Sequence, residues 1–255
     1  LKDIKNICYY YMNIVVSVLL ILIFFLVFKN NYDFFKNDKK QFIQIAHGGG
    51  LSKDNIIYTN SPETVLYNYN NNFRYFEIDV IFGKNKTLVA HHDHPYYSKL
   101  IDILQIIDIH NDITFILDIR NPYIKILQKL INYIEINKKT NYYNNIILQV
   151  YSIDDVNFVK KTKFNKVLFA YWRNKPDIKT VYKILKLIDS SRLKLFGISL
   201  FNFGPAHPSN IFNSLKKTKY NKFIFFHGNL KTKEDILKIK KLNYNVFSQY
   251  KYINE

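Results

Sequence analysis

The chain has 255 residues, 48% apolar and 17% aromatic, with only 7 glycines and 6 prolines, so it can bury a core, which excludes a disordered protein. Its single cysteine, Cys8, excludes an internal disulfide scaffold. A formal charge of +17 favours anionic partners, yet only 4 of the 37 basic residues are arginine, and the lysines are scattered among 30 asparagines, so no nucleic acid partner is expected.

The first predicted element is an apolar run over residues 7–28, 22 residues interrupted only by Asn13 and Ser17. As a helix it would be about 33 Å long, enough for a bilayer core of about 30 Å. Phe28 passes straight into Lys29-Asn30-Asn31-Tyr32, with no small-residue cleavage site, so the run reads as a retained anchor rather than a cleaved signal peptide. Residues 1–40 are therefore expected to be a membrane anchor with its juxtamembrane linker, in a single-pass membrane protein. Lys2 and Lys5 precede the run, while Lys29, Lys36, Lys39 and Lys40 follow it. Positive-inside counting is one vote for a cytoplasmic domain and leaves the side of the membrane open.

Residues 41–255 suit one domain, expected to be monomeric. From residue 43 short β-branched or aromatic runs alternate with helical periods. Nine strands are predicted, over 43–47, 75–80, 87–91, 114–119, 146–150, 167–172, 195–200, 223–227 and 246–250. Most are continuous apolar runs, as in parallel strands covered on both faces. Ser61-Pro62-Glu63, Asn121-Pro122 and Thr232 with Asp235 read as helix starts. Only six residues separate the second and third strands, too few for a crossover helix, so those two should form an antiparallel hairpin. Setting that excursion aside leaves eight strands, and a (β/α)8 TIM-type barrel follows; an open doubly wound sheet is the competitor.

In such a barrel chemistry gathers at the carboxyl ends of strands. Those ends read His47, then Glu77 and Asp79, then His91-His92-Asp93-His94, then Asp118 and Arg120. Glu77 and Asp79 lie two apart and share one strand face, opposite Phe76, Ile78 and Val80. Buried carboxylates are costly unless they are paired or hold a metal, and three converging from two strands would suit a hard divalent ion. Taken singly, each piece has a bland alternative: Glu-x-Asp as a wet strand face, the histidines as a loop, Asp118-x-Arg120 as a salt bridge. His110 reads as a helix end and His207 as a loop residue. His47-Gly48-Gly49-Gly50 is not an esterase oxyanion motif, because the G-x-S-x-G partner is missing. No P-loop or G-x-G-x-x-G is present either. The glycines can instead let a phosphate approach the backbone in an anion-binding nest.

At these residues the chain resembles the glycerophosphodiester phosphodiesterase family, within the phosphatidylinositol-phospholipase-C-like barrels. His47-Gly48-Gly49, Asn60-Ser61-Pro62-Glu63, Glu77-Ile78-Asp79 and His92-Asp93 stand in the family's order, and the resemblance spans roughly residues 43–250. It implies His47 and His92 as the acid–base pair, with Glu77, Asp79 and Asp118 holding one divalent cation, Mg2+ or Ca2+. Arg120, Gly48 and Gly49 are then expected against the substrate. The implied activity is hydrolysis of a phosphodiester, glycerophosphodiester-like or part of a phospholipid or polymer, through a cyclic phosphate. The chain departs from the family in Asp118 for glutamate, Arg120 for lysine and Gly48 for arginine. His227 falls near the place of a family aromatic. Asp118 is similar to the sphingomyelinase-D-like relatives, so a lyase outcome is one alternative. A catalytically idle membrane protein binding anionic lipid or polymer is another.

Overall fold

A computed structural model describes residues 42–92, 97–171, 177–201, 209–227, 232–242 and 244–248. The expected anchor over 7–28 lies outside the described residues, as do Asp93, His94, Trp172 and His207. Among the described residues no helix is long and apolar enough to cross a membrane.

Among the described residues ten strands form the sheet: β1 (Gln44–Ala46), β2 (Tyr75–Phe82), β3 (Leu88–Ala90), β4 (Ser98–Lys99), β5 (Thr114–Ile119), β6 (Ile146–Val150), β7 (Lys166–Ala170), β8 (Lys194–Phe201), β9 (Ile224–His227) and β10 (Asn245–Ser248). Their order is β1-β10-β9-β8-β7-β6-β5-β2-β3-β4, and β1 also pairs with β2, which closes eight parallel strands into a barrel. β3 is antiparallel to β2, as the six-residue gap required. The two-residue β4, which the sequence pattern did not announce, extends that excursion by a second antiparallel pairing. The open-sheet competitor is excluded by the β1–β2 contact.

The helices are α1 (Pro62–Asn70), α2 (Leu100–Leu104), α3 (Ile106–Ile109), α4 (Tyr123–Ile136), α5 (Tyr142–Asn145), α6 (Ile153–Val159), α7 (Ile178–Asp189), α8 (Ser209–Lys216) and α9 (Lys233–Lys241). Side-chain oxygens cap several of them: Ser61 accepts from the Thr64 N–H at 3.2 Å, Ser152 from Asp155 at 3.1 Å, and Thr232 from Asp235 at 3.2 Å. At α4 the cap differs from expectation. Pro122 itself occupies the N-cap with extended backbone, so the helix starts at Tyr123 and Asn121 does not cap it.

α4 shows how the layers hold. Tyr123, Ile126, Leu127, Leu130 and Ile134 fall on one face at helical spacing and are buried against the strands. Each fully buried aliphatic side chain there contributes roughly 1.5–3 kcal/mol. Because the strands are covered by helices outside and by one another's side chains inside, a polar residue on an inner face has no water to turn to. It must find partners among other strand ends, and that requirement builds the site.

Candidate active site

The register between β2 and β5 sets Asp79 beside Asp118. Glu77, two residues back on β2, shares their face. Ligand atoms of Glu77, Asp79 and Asp118 all lie within 4.8 Å of one another, and each residue is only 1% exposed. At that separation two ionised carboxylates repel by roughly 3 kcal/mol at an effective dielectric of about 20. Burial, then the charges of Asp79 and Asp118, push the Glu77 carboxyl well above its usual range.

Each acid has partners of its own, and Arg120 is shared by two of them. The Gly48 N–H donates to Glu77 Oε2 at 3.0 Å, and Gln149 Nε2 on β6 reaches Glu77 Oε1 at 3.4 Å. Asn60 clamps Asp79 twice, donating from Nδ2 to Oδ2 at 3.2 Å and accepting the Asp79 N–H at 3.1 Å. The Tyr151 hydroxyl donates to Asp118 Oδ1. Arg120 Nη2 lies 2.5 Å from Asp79 Oδ1, and its Nε is 3.4 Å from Asp118 Oδ2. Burial would lower the Arg120 pKa, but Asp118 and Asp79 more than offset this and raise it. With all three carboxylates ionised, as a bound cation would favour, they and the guanidinium would carry a net charge of −2, which a divalent cation matches. The donor set is all oxygen, as Mg2+ and Ca2+ prefer. The residues therefore fit a divalent cation.

β1 ends in a tight turn over His47–Gly49, closed by the Gly50 N–H donating to His47 O at 3.0 Å. Gly48 has φ +57°, and a Cβ there would stand 2.8 Å from Tyr58 Cδ1 and 2.9 Å from Tyr58 Cα. No side chain fits, so the residue type usual in the family at this place is sterically barred. The nest expected to receive a phosphate instead grips Glu77 through the Gly48 amide, while the Gly49 carbonyl accepts from Asn68 Nδ2 at 3.1 Å.

His47 is brought to the acids, with Nε2 at 3.6 Å from Glu77 Oε2. Burial, then nearby His92 and Arg120, push its pKa down to about 3, so the ring is neutral. His92 stands just past β3 and stacks on Tyr58, with ring centroids 4.5 Å apart. Tyr58 in turn meets His47 edge-on at 4.7 Å. Tyr58 thus makes ring contact with both predicted catalytic histidines. His91 extends the hairpin, donating its backbone N–H to Asp79 O at 3.1 Å.

The direct partner of His47 is one the sequence left without a role. His227, at the end of β9, places Nε2 at 2.8 Å from His47 Nε2. Burial, then His47, push the His227 pKa well below its ordinary value. Gln149, Tyr151, Asn60, Tyr58 and Ser199 were likewise missed. For four of these residues a signal existed: Gln149-x-Tyr151, Ser199 and His227 are polar or hydroxyl-bearing residues ending apolar strands, the same pattern that marked Glu77-x-Asp79. His110, expected as a helix end, caps α3 and packs its ring on Tyr69 at 4.2 Å. Glu63 lies exposed in the first turn of α1.

Fold and site together define a TIM-type barrel whose C-terminal face carries a buried acid triad with histidines beside it. Comparison with solved structures gives that barrel a more specific character. A glycerophosphodiester phosphodiesterase from Thermotoga maritima superposes with a TM-score of 0.58 at 13% identity, over 82% of this chain and 95% of that one. One from Parabacteroides distasonis gives a TM-score of 0.57 at 11% identity, over 82% and 92%. A provisionally assigned member from Galdieria sulphuraria gives 0.62 at 12% identity, over 82% and 94%. No family model and no curated protein matches the chain by sequence. The fold is that of the glycerophosphodiester phosphodiesterases.

Proposed function

We propose that this protein is a divalent-cation-dependent phosphoric diester hydrolase, acting on a glycerophosphodiester-like substrate or on the phosphodiester of a phospholipid or polymer. The observation that carries the reading is the buried Glu77–Asp79–Asp118 cluster with His47 Nε2 at 3.6 Å from Glu77. A neutral histidine beside three clustered, buried carboxyl groups is an arrangement that stability does not call for. The likeness of fold supports the same reading.

A bound divalent cation supplies charge neutralisation for a phosphate oxygen and a neighbouring hydroxyl. The residues do the rest. Glu77, Asp79 and Asp118 would hold the cation, and Gly48, Gln149, Asn60 and Tyr151 hold the acids in place. Neutral His47 accepts the proton of the substrate hydroxyl next to the phosphorus, whose oxygen then bonds to phosphorus as the bond to the leaving oxygen breaks. His92, at the more open edge, protonates that leaving alkoxide. Such acid–base assistance is worth roughly 100- to 10,000-fold per group. The product is a cyclic phosphate, opened by water in a second step. Arg120 screens the acids and presents its remaining donors to the phosphate. The apolar run over 7–28 anchors the chain as a single-pass membrane protein, and the barrel acts as a monomer.

The test is to incubate the full chain in detergent with glycerophosphodiesters, phospholipids and polyol-phosphate polymers, each with Mg2+, Ca2+ or EDTA, reading products by phosphorus NMR. Cleavage that EDTA abolishes and Asp118→Asn abolishes is expected. A cyclic phosphate that is never opened would favour the lyase alternative, which Asp118 in place of glutamate also suggests. Binding to anionic vesicles with no cleavage of any diester would favour the idle binder. Flotation with liposomes by the full chain, but not by a 41–255 fragment, is expected of the anchor.

A further inference from the structure

Away from the barrel mouth, a groove of about 690 Å³ runs between α4 and the hairpin excursion of β3 and β4. That volume lies within the range of small-molecule sites, about 300–1,000 Å³. No residue of the acid triad, and neither His47 nor His92, lines it. Its floor is carbon: Phe82 ends β2, Leu88 opens β3 and is buried, and Ile101 belongs to α2. Ile136, the last residue of α4, stands 79% exposed at the groove, an apolar side chain that nothing described covers.

The rim is cationic. Lys86 and Lys99 stand on the hairpin side and Lys125 and Lys129 on α4, all of them exposed. Lys129 reaches across the groove, with Nζ donating to Lys86 O at 2.6 Å, so its ammonium is held over the floor. Among the described residues no aspartate or glutamate lines the groove. Lysines elsewhere do find acids, as Lys139, Lys163 and Lys219 meet Asp108, Glu135 and Asp189.

An apolar floor under an uncompensated positive rim selects an amphiphile by both its ends. A cationic head would be repelled, and a neutral one would leave the ammoniums without a counter-charge. An anionic head with an apolar tail satisfies both. Each methylene moved from water onto carbon is worth about fourfold in affinity, and each lysine near an anionic head about fivefold. A peptide is served less well. The edge strand β4 has only two residues to offer a partner strand, and the Lys86 carbonyl is already taken.

We propose that this groove binds one anionic phospholipid, with an acyl chain over Phe82, Leu88 and Ile101 and the phosphate among Lys99, Lys125 and Lys129. The lipid is a bound ligand on the flank of the barrel, separate from any diester cleaved at the acid triad.

The experiment uses the full chain in dodecyl maltoside micelles containing phosphatidylglycerol with a diazirine in its acyl chain. After illumination, labelled peptides are located by mass spectrometry, with label on the apolar run over 7–28 as the reference. Label is expected on the peptides holding Phe82, Leu88 and Ile101. Phosphatidylcholine with the same tail, whose head has no net charge, should label them about fivefold less or weaker still. Lys99→Glu/Lys125→Glu/Lys129→Glu should lose about tenfold or more of the groove label. Lys161→Glu/Lys183→Glu/Lys216→Glu, which removes the same charge from exposed positions outside the groove, should keep it. If the first triple variant does not fold, Gln128→Trp fills the groove from the exposed face of α4 without changing charge and should lose the label as well. An unlabelled groove, equal labelling by the two lipids, or equal losses in the two triple variants overturns the proposal. A Leu/Glu amphipathic peptide with the same diazirine that labels the groove where the lipid does not would assign it to a protein partner and overturn the lipid. No readout depends on cleavage, so an inactive acid triad would leave this result standing.

Discussion

Replacing Asp118 by asparagine tests the acid triad at nearly constant shape. The introduced amide oxygen would still accept from Tyr151, so packing is preserved while one negative charge disappears. In the metal-free protein two effects oppose each other. Repulsion of roughly 3 kcal/mol per ionised neighbour is relieved, while the Arg120 contact at 3.4 Å is lost. Arg120 is a third exposed, so its attraction is discounted for solvent, and the two effects are of similar size. The melting temperature without cation should therefore move little. The difference appears on adding Mg2+ or Ca2+. At a cation concentration 100 times Kd, wild type gains about 2.7 kcal/mol. For a domain of this size that is roughly 5–11 °C in Tm. Loss of a direct ligand should raise Kd by at least the factor of about 100 that outer-shell changes reach. At the same cation concentration the variant then gains only about 0.4 kcal/mol, a shift of roughly 1–2 °C. Differential scanning fluorimetry with a cation titration reads both numbers. A wild-type protein whose Tm does not respond to either cation, or a variant that responds as wild type does, would refute the metal site.

Three further outcomes are expected. His47 is pushed from 6.5 to about 3, so the unfolded chain takes up a proton that the folded one refuses. Its contribution to stability is complete above pH 6.5 and is lost as pH falls toward 3, amounting to about 2 kcal/mol by pH 5. Glu77 has the opposite sign: its raised pKa gives stability that is complete below pH 4.5 and is lost as pH rises through the folded value, so Glu77→Gln should flatten the alkaline side of a pH–Tm curve and His47→Gln the acid side. Gly48→Ala must hold φ near +57° against Tyr58, which should cost about 1–3 kcal/mol in denaturant melts and loosen the Glu77 contact; a neutral effect would mean the turn has another conformation available. Among the adjacent histidines, His92→Ala should remove most of the activity and His91→Ala little of it, since His92 joins the Tyr58–His47 ring contacts and His91 extends the hairpin through its backbone N–H to Asp79, which alanine keeps; equal losses would contradict this.

Much of the fold was legible along the chain. Strand–helix alternation and continuous apolar runs pointed to parallel strands covered on both faces, and the short gap after the strand predicted over 75–80 dictated the hairpin. Glu77-x-Asp79 and Asp118 declared themselves because carboxylates inside apolar strands have few other uses. These are local properties: periodicity, loop length and the cost of burying charge act between residues close in sequence.

What the tertiary structure decided are the contacts whose partners lie far apart in the chain. His47 and His227 are 180 residues apart, and only closure of the barrel puts their Nε2 atoms 2.8 Å from each other. Gln149 reaches Glu77 across 72 residues, and the register of β2 on β5, rather than either strand alone, sets Asp79 beside Asp118. The glycine turn shows the same division. Its freedom of φ was evident from His47-Gly48-Gly49-Gly50, but that its amide serves Glu77 and its missing Cβ makes room for Tyr58 depended on where the barrel set the neighbouring strand and loop. A sequence states which residues need partners when they are buried. Which partner each receives is settled by the geometry of closure, because strand tilt and register bring distant strand ends to one face and leave water out.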